Sequence, residues 1–272
     1  MIGLLLQKLL PSWIHDRLIG DWNREGFKKY FKNTSWLFFA KLISMGVSFF
    51  TIAFVARYLG PENYGKLSYA QSFVGIFSVI AALGIDRIVF RDLIAYPEKE
   101  TQLLGTAFVL KAVFGVIAVV TTITSAYLIN ADPILNWLIA LITLTFIFQP
   151  FSTISHYFNA KVQSKYPAYI VIFLAFCIPL LKLIIIYFDK GILYFAALIA
   201  LEAFLIGLFY VMFYIYVAKK TLRAWSFSTE IFWSLLQRSW PLLLSSLSGF
   251  IYGRIDQVML QQFIGSSAVG FY

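Results

Sequence analysis

Seven long apolar runs, separated by short polar breaks, dominate the sequence. They cover approximately Trp36–Tyr58, Leu67–Ile85, Thr106–Leu128, Ile134–Phe158, Ala168–Phe188, Ile192–Val217 and Trp240–Ile264. About 20 predominantly apolar residues suffice for an α-helix to cross the hydrocarbon core of a bilayer. The breaks carry turn chemistry, as in Gly60-Pro61-Glu62-Asn63, Asn130-Ala131-Asp132-Pro133 and Asp189-Lys190-Gly191. Each leaves room only for a tight helical hairpin. Closed β-barrels also span membranes, but these runs are about twice as long as the ~10 residues a barrel strand needs. The sequence predicts an all-α, polytopic membrane helical bundle. Composition agrees, with 60% apolar and 13% charged residues, against roughly 45–50% and 25% in soluble domains.

The cations predict which way the bundle faces. Fifteen of the 22 Lys and Arg lie before the first run or in the connections after the second, fourth and sixth. The opposite side has Lys66, Lys190 and Arg57, and Lys41, Lys111, Lys182 and Arg254 fall within the runs. By the positive-inside rule the N-terminus is cytoplasmic, and the expected location is the inner, cytoplasmic membrane. The net charge of +9 is thus an orientation signal rather than a nucleic-acid-binding surface. Residues 1–35 mix Leu4, Leu9, Trp13 and Leu18 with Lys8 and Arg17, the pattern of an amphipathic helix on the cytoplasmic interface. Two His and one Cys cannot supply a zinc site. No cofactor and no metal are expected, and Cys177 has no disulfide partner.

An internal repeat is visible. Asn33-Thr34-Ser35-Trp36 opens the first run and Gln237-Arg238-Ser239-Trp240 opens the seventh, with the tryptophans 204 residues apart. The first run ends in Gly60-Pro61-Glu62-Asn63-Tyr64-Gly65 and the seventh in Gly265-Ser266-Ser267-Ala268-Val269-Gly270, 205 residues on. A displacement of six helices returns the chain to the same side, which makes the repeat parallel. The expected organisation is a cytoplasmic segment (1–35), a first six-helix lobe (36–217), a cytoplasmic connection (218–239) and the first helix of a second lobe (240–272). On that reading the chain is a truncated one, and a complete molecule would have about twelve helices and roughly 440 residues.

The run from Ala56 to Phe73, Ala-Arg-Tyr-Leu-Gly-Pro-Glu-Asn-Tyr-Gly-Lys-Leu-Ser-Tyr-Ala-Gln-Ser-Phe, is followed by Ala82-Leu83-Gly84-Ile85-Asp86. It closely resembles the N-terminal signature of polysaccharide-biosynthesis oligosaccharide flippases. These are the Wzx-type members of the multidrug/oligosaccharidyl-lipid/polysaccharide exporter superfamily. Tyr252-Gly253-Arg254-Ile255-Asp256 with Val269-Gly270-Phe271-Tyr272 resembles the start of that family's second lobe. The resemblance implies a non-enzymatic flippase moving undecaprenyl-pyrophosphate-type lipid-linked oligosaccharide units, such as O-antigen repeats, by alternating access. Implied partners are the lipid-linked oligosaccharide, the bilayer, a polysaccharide polymerase and glycosyltransferases, with no nucleic acid. A multidrug or other lipid exporter of the same superfamily is the nearest alternative, ahead of a membrane polymerase or glycosyltransferase.

Charged residues inside spans are costly and mark functional candidates. Lys41, Ser44 and Ser48 share a face of the first span. Small and polar side chains also line one face of span two, ending in Asp86, of span four, from Thr145 through Gln149 and Ser152 to His156, and of span seven. Four such faces predict an internal polar cavity. Lys41, Ser44, Ser48, Gln149, Lys182, Tyr252 and Arg254 are the candidates for holding a pyrophosphate or sugars, since Lys and Arg suit phosphate. Asp86, Glu202 and Asp256 are candidates for ion coupling or buried pairing, Glu202 with Lys182 or Lys41. Pro150 is expected to kink span four, and Lys111 is expected to snorkel to the interface.

Overall fold

The computed structural model describes residues 24–272, with side chains from Phe31 onward. Most of the amphipathic segment expected over residues 1–35 lies outside the described residues. Every regular element among them is helical. Helix α1 (Arg24–Ala82) is followed by α2 (Asp86–Ala95), a 3-10 turn (Pro97–Lys99), α3 (Glu100–Ile129), α4 (Pro133–Thr143) and α5 (Thr145–Phe148). A second 3-10 turn (Gln149–Ser152) leads to α6 (Thr153–Ala160), α7 (Lys165–Tyr187) and α8 (Ile192–Tyr216). A third (Leu222–Ala224) precedes α9 (Thr229–Phe263) and α10 (Ser266–Phe271).

Five helical stretches are long and apolar enough to cross a membrane, the first of them Phe31–Ala95 with 65 residues. That stretch contains the first two expected spans. It breaks at Gly60, whose φ of 69° lies in the left-handed region open to glycine, just before Pro61. A straight helix would hold Ser48 and Gln71 about 35 Å apart at 1.5 Å per residue, yet both line one small cavity. The chain therefore turns back on itself at Gly60. The seventh expected span is present as α9 but is not among the five. It starts at Thr229, capped by the Ser228 hydroxyl, eleven residues before Trp240. Span four breaks as Pro150 dictates: the 3-10 turn at Gln149–Ser152 separates α5 from α6.

The two Gly-x-x-x-x-Gly turns meet. A methyl group on Gly65 would collide with the Ser266 carbonyl, and one on Gly270 with the Pro61 carbonyl. In each pair the last glycine of one motif meets the second residue of the other. Such reciprocity is what a two-fold axis between two copies produces. Gly265, like Gly60, has positive φ. Along the same seam the Ser72 hydroxyl donates to Gln257, Gln262 donates to the Tyr69 hydroxyl at 3.2 Å, and Phe250 fills the space over Gly75.

Apolar packing is divided between two clusters. One, around Val55, Leu67, Tyr69, Phe73, Leu138 and Val269, sits at the end that carries the glycine turns. The other, around Ile85, Leu104, Ile154, Phe158, Tyr214 and Leu235, sits at the basic end. At the glycine-turn end Asp132 caps α4, accepting from the Ile134 amide at 2.8 Å and pairing with Lys66 at 3.2 Å. Partial burial works to raise the Asp132 pKa. The Ile134 bond and the Lys66 ammonium outweigh it and hold the carboxyl below its ordinary range.

Candidate functional site

Three polar clusters lie within or beside the spanning helices. The first surrounds a cavity of about 310 Å³ between α1, α7 and α8. Ser44, Ser48 and Thr51 enter from the first half of α1, at spacings that keep them on one face. Tyr64, Ser68 and Gln71 enter from its second half, and Lys182, Glu202 and Tyr210 complete the polar lining. The volume is at the small end of ligand pockets, suited to an ion, waters or a small polar group rather than a whole oligosaccharide. Lys182 and Glu202 act on each other electrostatically, yet no direct ion pair joins them among the described residues.

The second cluster is tight. Lys111 is 1% exposed. Its ammonium donates to Asp86 Oδ1 from α2 and to the Ser152 hydroxyl at 2.8 Å. His156 Nε2 lies 2.9 Å from the same Asp86 oxygen, though without hydrogen-bond alignment, so it counts as unpartnered. The expectation that Lys111 snorkels is corrected. Asp86 and Ser152 give its charge an internal partner, so the side chain has no reason to reach for water.

The third cluster locks the basic end. Buried Glu100 accepts from Lys161 at 2.9 Å and from Lys220. Buried Asp92 takes Arg238 of α9 at 2.7 Å and Arg91 at 3.0 Å. The connection before α9 is fastened to α3 as well, with the Ser228 amide donating to the Thr106 hydroxyl at 3.0 Å. Sequence reasoning passed over Glu100 and Asp92. The available signal was weak, since Glu98 and Glu230 lie in the same connections and nothing local sets Asp92 and Glu100 apart from them.

Of the residues singled out from the sequence, Ser44, Ser48, Lys182 and Glu202 come together around the cavity. Lys41, one turn before Ser44, is exposed and makes no ion pair among the described residues. Gln149 sits on the turn before the Lys111 cluster, its Oε1 buried and unpartnered. Tyr252 is 90% exposed. Arg254 is exposed and reaches Gln257 at 3.4 Å. Asp256 accepts from the Tyr272 hydroxyl and from the Gln257 amide at 2.8 Å. The polar cavity was expected among spans one, two, four and seven; it lies among one, two, five and six. On span four Ser152 and His156 lie beside Lys111 and Asp86, and the polar face of span seven is exposed at Tyr252, while Asp256 is bonded to Tyr272.

The chain matches the family described as "Polysaccharide biosynthesis protein" over residues 30–272. It belongs to that family. An Lsg locus protein of Haemophilus influenzae is 24% identical over 255 residues, covering 90% of this chain and 60% of its own length. The inward-facing structure of a multidrug resistance MATE family transporter of the MOP superfamily aligns with a TM-score of 0.60 at 18% identity. That match covers 84% of this chain and 59% of the other. An outward-facing structure under the same description aligns at 0.55 and 18%, covering 88% and 62%. The chain spans about three fifths of the length of these relatives. The fold is therefore shared with the MATE transporters, and this polysaccharide-biosynthesis family member is a multi-pass membrane protein.

Proposed function

We propose that this protein is a non-enzymatic exporter of the inner membrane that moves lipid-linked oligosaccharides across it by alternating access. Membership in a polysaccharide-biosynthesis family and the transporter-like fold support an exporter. The observation that carries the anionic cargo is the unequal pairing of intramembrane cations. Lys111 is neutralised by Asp86, and Lys182 shares its cavity with Glu202. Lys41 on α1 and Arg254 on α9 are exposed and make no ion pair among the described residues. These two helices are also the ones that carry the paired motifs. A cation inside a span without a carboxylate must find water or an anionic ligand, and a pyrophosphate headgroup supplies one. With an N-terminus facing the cytoplasm, the lipid-linked unit would come from glycosyltransferases on that side and pass to a polymerase on the other.

The test is replacement of Lys41 and Arg254 by Ala in the protein expressed from its own locus, with membrane levels held equal. Surface polysaccharide is expected to fall at least about tenfold, the loss of roughly 1.4 kcal/mol of interaction, with lipid-linked units accumulating inside. Unchanged assembly would overturn the anionic-headgroup role. A multidrug exporter is the second reading, favoured by the Glu202 carboxylate in the cavity. It predicts efflux of a lipophilic cation such as ethidium that Glu202→Gln abolishes.

A further inference from the structure

The connection between α8 and α9 carries three cations and no carboxylate over residues 218–228, Ala-Lys-Lys-Thr-Leu-Arg-Ala-Trp-Ser-Phe-Ser. The proposed transport does not call on it. It lies along the start of α3, where the Ser226 amide donates to the Thr101 carbonyl at 3.4 Å. A methyl group on Gly105 would strike the Ser226 carbonyl. Beside this close approach the connection and α3 enclose a groove of about 270 Å³. Phe108 and Val109 form one wall, and Leu222, Trp225 and Phe227 form the other. Trp225 is fixed in place: its indole N–H donates to the Tyr214 hydroxyl at 3.0 Å, and its ring meets Phe108 edge to face.

One wall of the groove continues into the apolar outer surface of the bundle. Val109, Val113, Val116 and Val120 are all exposed, and their spacing places them on one face of α3. The third apolar run begins at Thr106, so the groove lies where hydrocarbon gives way to headgroups. The cations beside it divide into two kinds. Lys220 is committed to Glu100. Lys219 and Arg223 are exposed and make no ion pair among the described residues. Arg223 shares a 3-10 turn with Leu222, so an unpaired guanidinium stands next to an apolar wall. The acid nearest in the chain, Glu230, lies in the first turn of α9, where a helix N-terminus suits it.

We propose that this groove binds an anionic phospholipid, with one acyl chain between α3 and the connection and the headgroup phosphate held by Arg223 and Lys219. Charge complementarity selects the occupant. A guanidinium and an ammonium suit a phosphate oxygen, and the aromatic walls suit the chain. A zwitterionic lipid offers the same chain, but its own ammonium offsets the attraction to two unpaired cations. The groove shares no residue with the cavity between α1, α7 and α8. Occupancy ties the connection that leads into α9 to the surface of the bilayer.

The test uses the whole chain in phosphatidylcholine vesicles with a trace of lipid bearing a photoactivatable diazirine on one acyl chain. The probe is either phosphatidylglycerol or phosphatidylcholine, and the adducts are mapped by peptide mass spectrometry. The phosphatidylglycerol probe should label residues 105–109 and 222–227 at least about fivefold more than its zwitterionic counterpart, the preference that one cation near the headgroups supplies. Arg223→Gln with Lys219→Gln should bring the two probes level; both side chains are exposed and unpaired, so the fold does not depend on them. Val109→Trp fills the groove but keeps both cations, and should remove the label of either probe from residues 222–227. Equal labelling by the two probes, a preference that survives loss of both cations, or a label that survives Val109→Trp would overturn the site. Displacement of the probe by a polyprenyl pyrophosphate at concentrations where unlabelled phosphatidylglycerol has no effect would give the groove to another lipid and overturn the assignment as well. None of these readings requires export, so the site and the proposed transport fail separately.

Discussion

Lys111 and Lys182 are both lysines within spanning helices, each with one carboxylate at hand, and the structure treats them in opposite ways. Lys111 is enclosed, bonded to Asp86 and Ser152, and its surroundings are packed. Lys182 opens onto a cavity and faces Glu202 without touching it. A closed ion pair in a low-dielectric interior is a structural joint: removing either partner leaves an unanswered charge. An open pair, with polar space between its members, keeps both charges available to whatever enters. The contrast separates what holds the bundle together from what can act on a ligand, and residue type alone does not reveal it.

The largest expected effect comes from breaking the closed pair. Asp86→Leu strands Lys111 and should destabilise the protein by about 3–5 kcal/mol, read from thermal unfolding in detergent. Asp86→Leu combined with Lys111→Met should recover most of that loss, because an apolar pair of similar volume replaces the ions. A single variant as stable as the native protein would show that the pair is not a joint.

Next in size is the glycine seam. Gly65→Val and Gly270→Val each push a side chain into the opposing backbone and should cost about 1–3 kcal/mol. Gly46→Ala, with open space beside it, serves as the control and should lie within about 0.5 kcal/mol of the native protein. Equal behaviour of the three variants would remove the reciprocal contact as a determinant of the fold.

Opening the comparison from the other side, Lys182→Met should change stability by about 1 kcal/mol or less while export falls about tenfold or more. Loss of stability without a separate loss of export would place Lys182 with Lys111 after all. The smallest effect lies outside the membrane, at Asp132. Its folded pKa is lowered, so its stabilisation is present above the ordinary carboxylate range of about 4 and fades as the pH falls through the folded value. Asp132→Ala should cost about 1 kcal/mol near neutral pH, and the gap from the native protein should close in acid.

Much of the architecture was legible because its signals are local. Apolar runs of bilayer length, the turn at Gly60, and the break at Pro150 each follow from a few adjacent residues. The repeat was legible too, since Gly60 and Gly65 recur at Gly265 and Gly270; that the two copies touch was not, because contact is a property of two distant segments. The site was read less well. The cavity was expected beside the most polar helices, yet it opens against α7 and α8, whose apolar runs offered only Lys182 and Glu202 as clues. Polar residues that find one another, as Ser72 and Gln257 do, leave no cavity. Lys41 and Ser44 lie one turn apart, and the structure sends one to the exposed surface and the other to the cavity.

The sequence by itself determined that this is a membrane helical bundle and where its chain turns, because length, hydrophobicity and the special backbones of glycine and proline act over a few residues. It also determined which charges had to be accounted for inside the bilayer. Only the tertiary structure decided how. Asp86 and Lys111 are 25 residues apart in the chain and Lys182 and Glu202 only 20, yet the first pair closed and the second stayed open. Whether a buried charge becomes a joint or a site depends on the last few ångströms of helix packing.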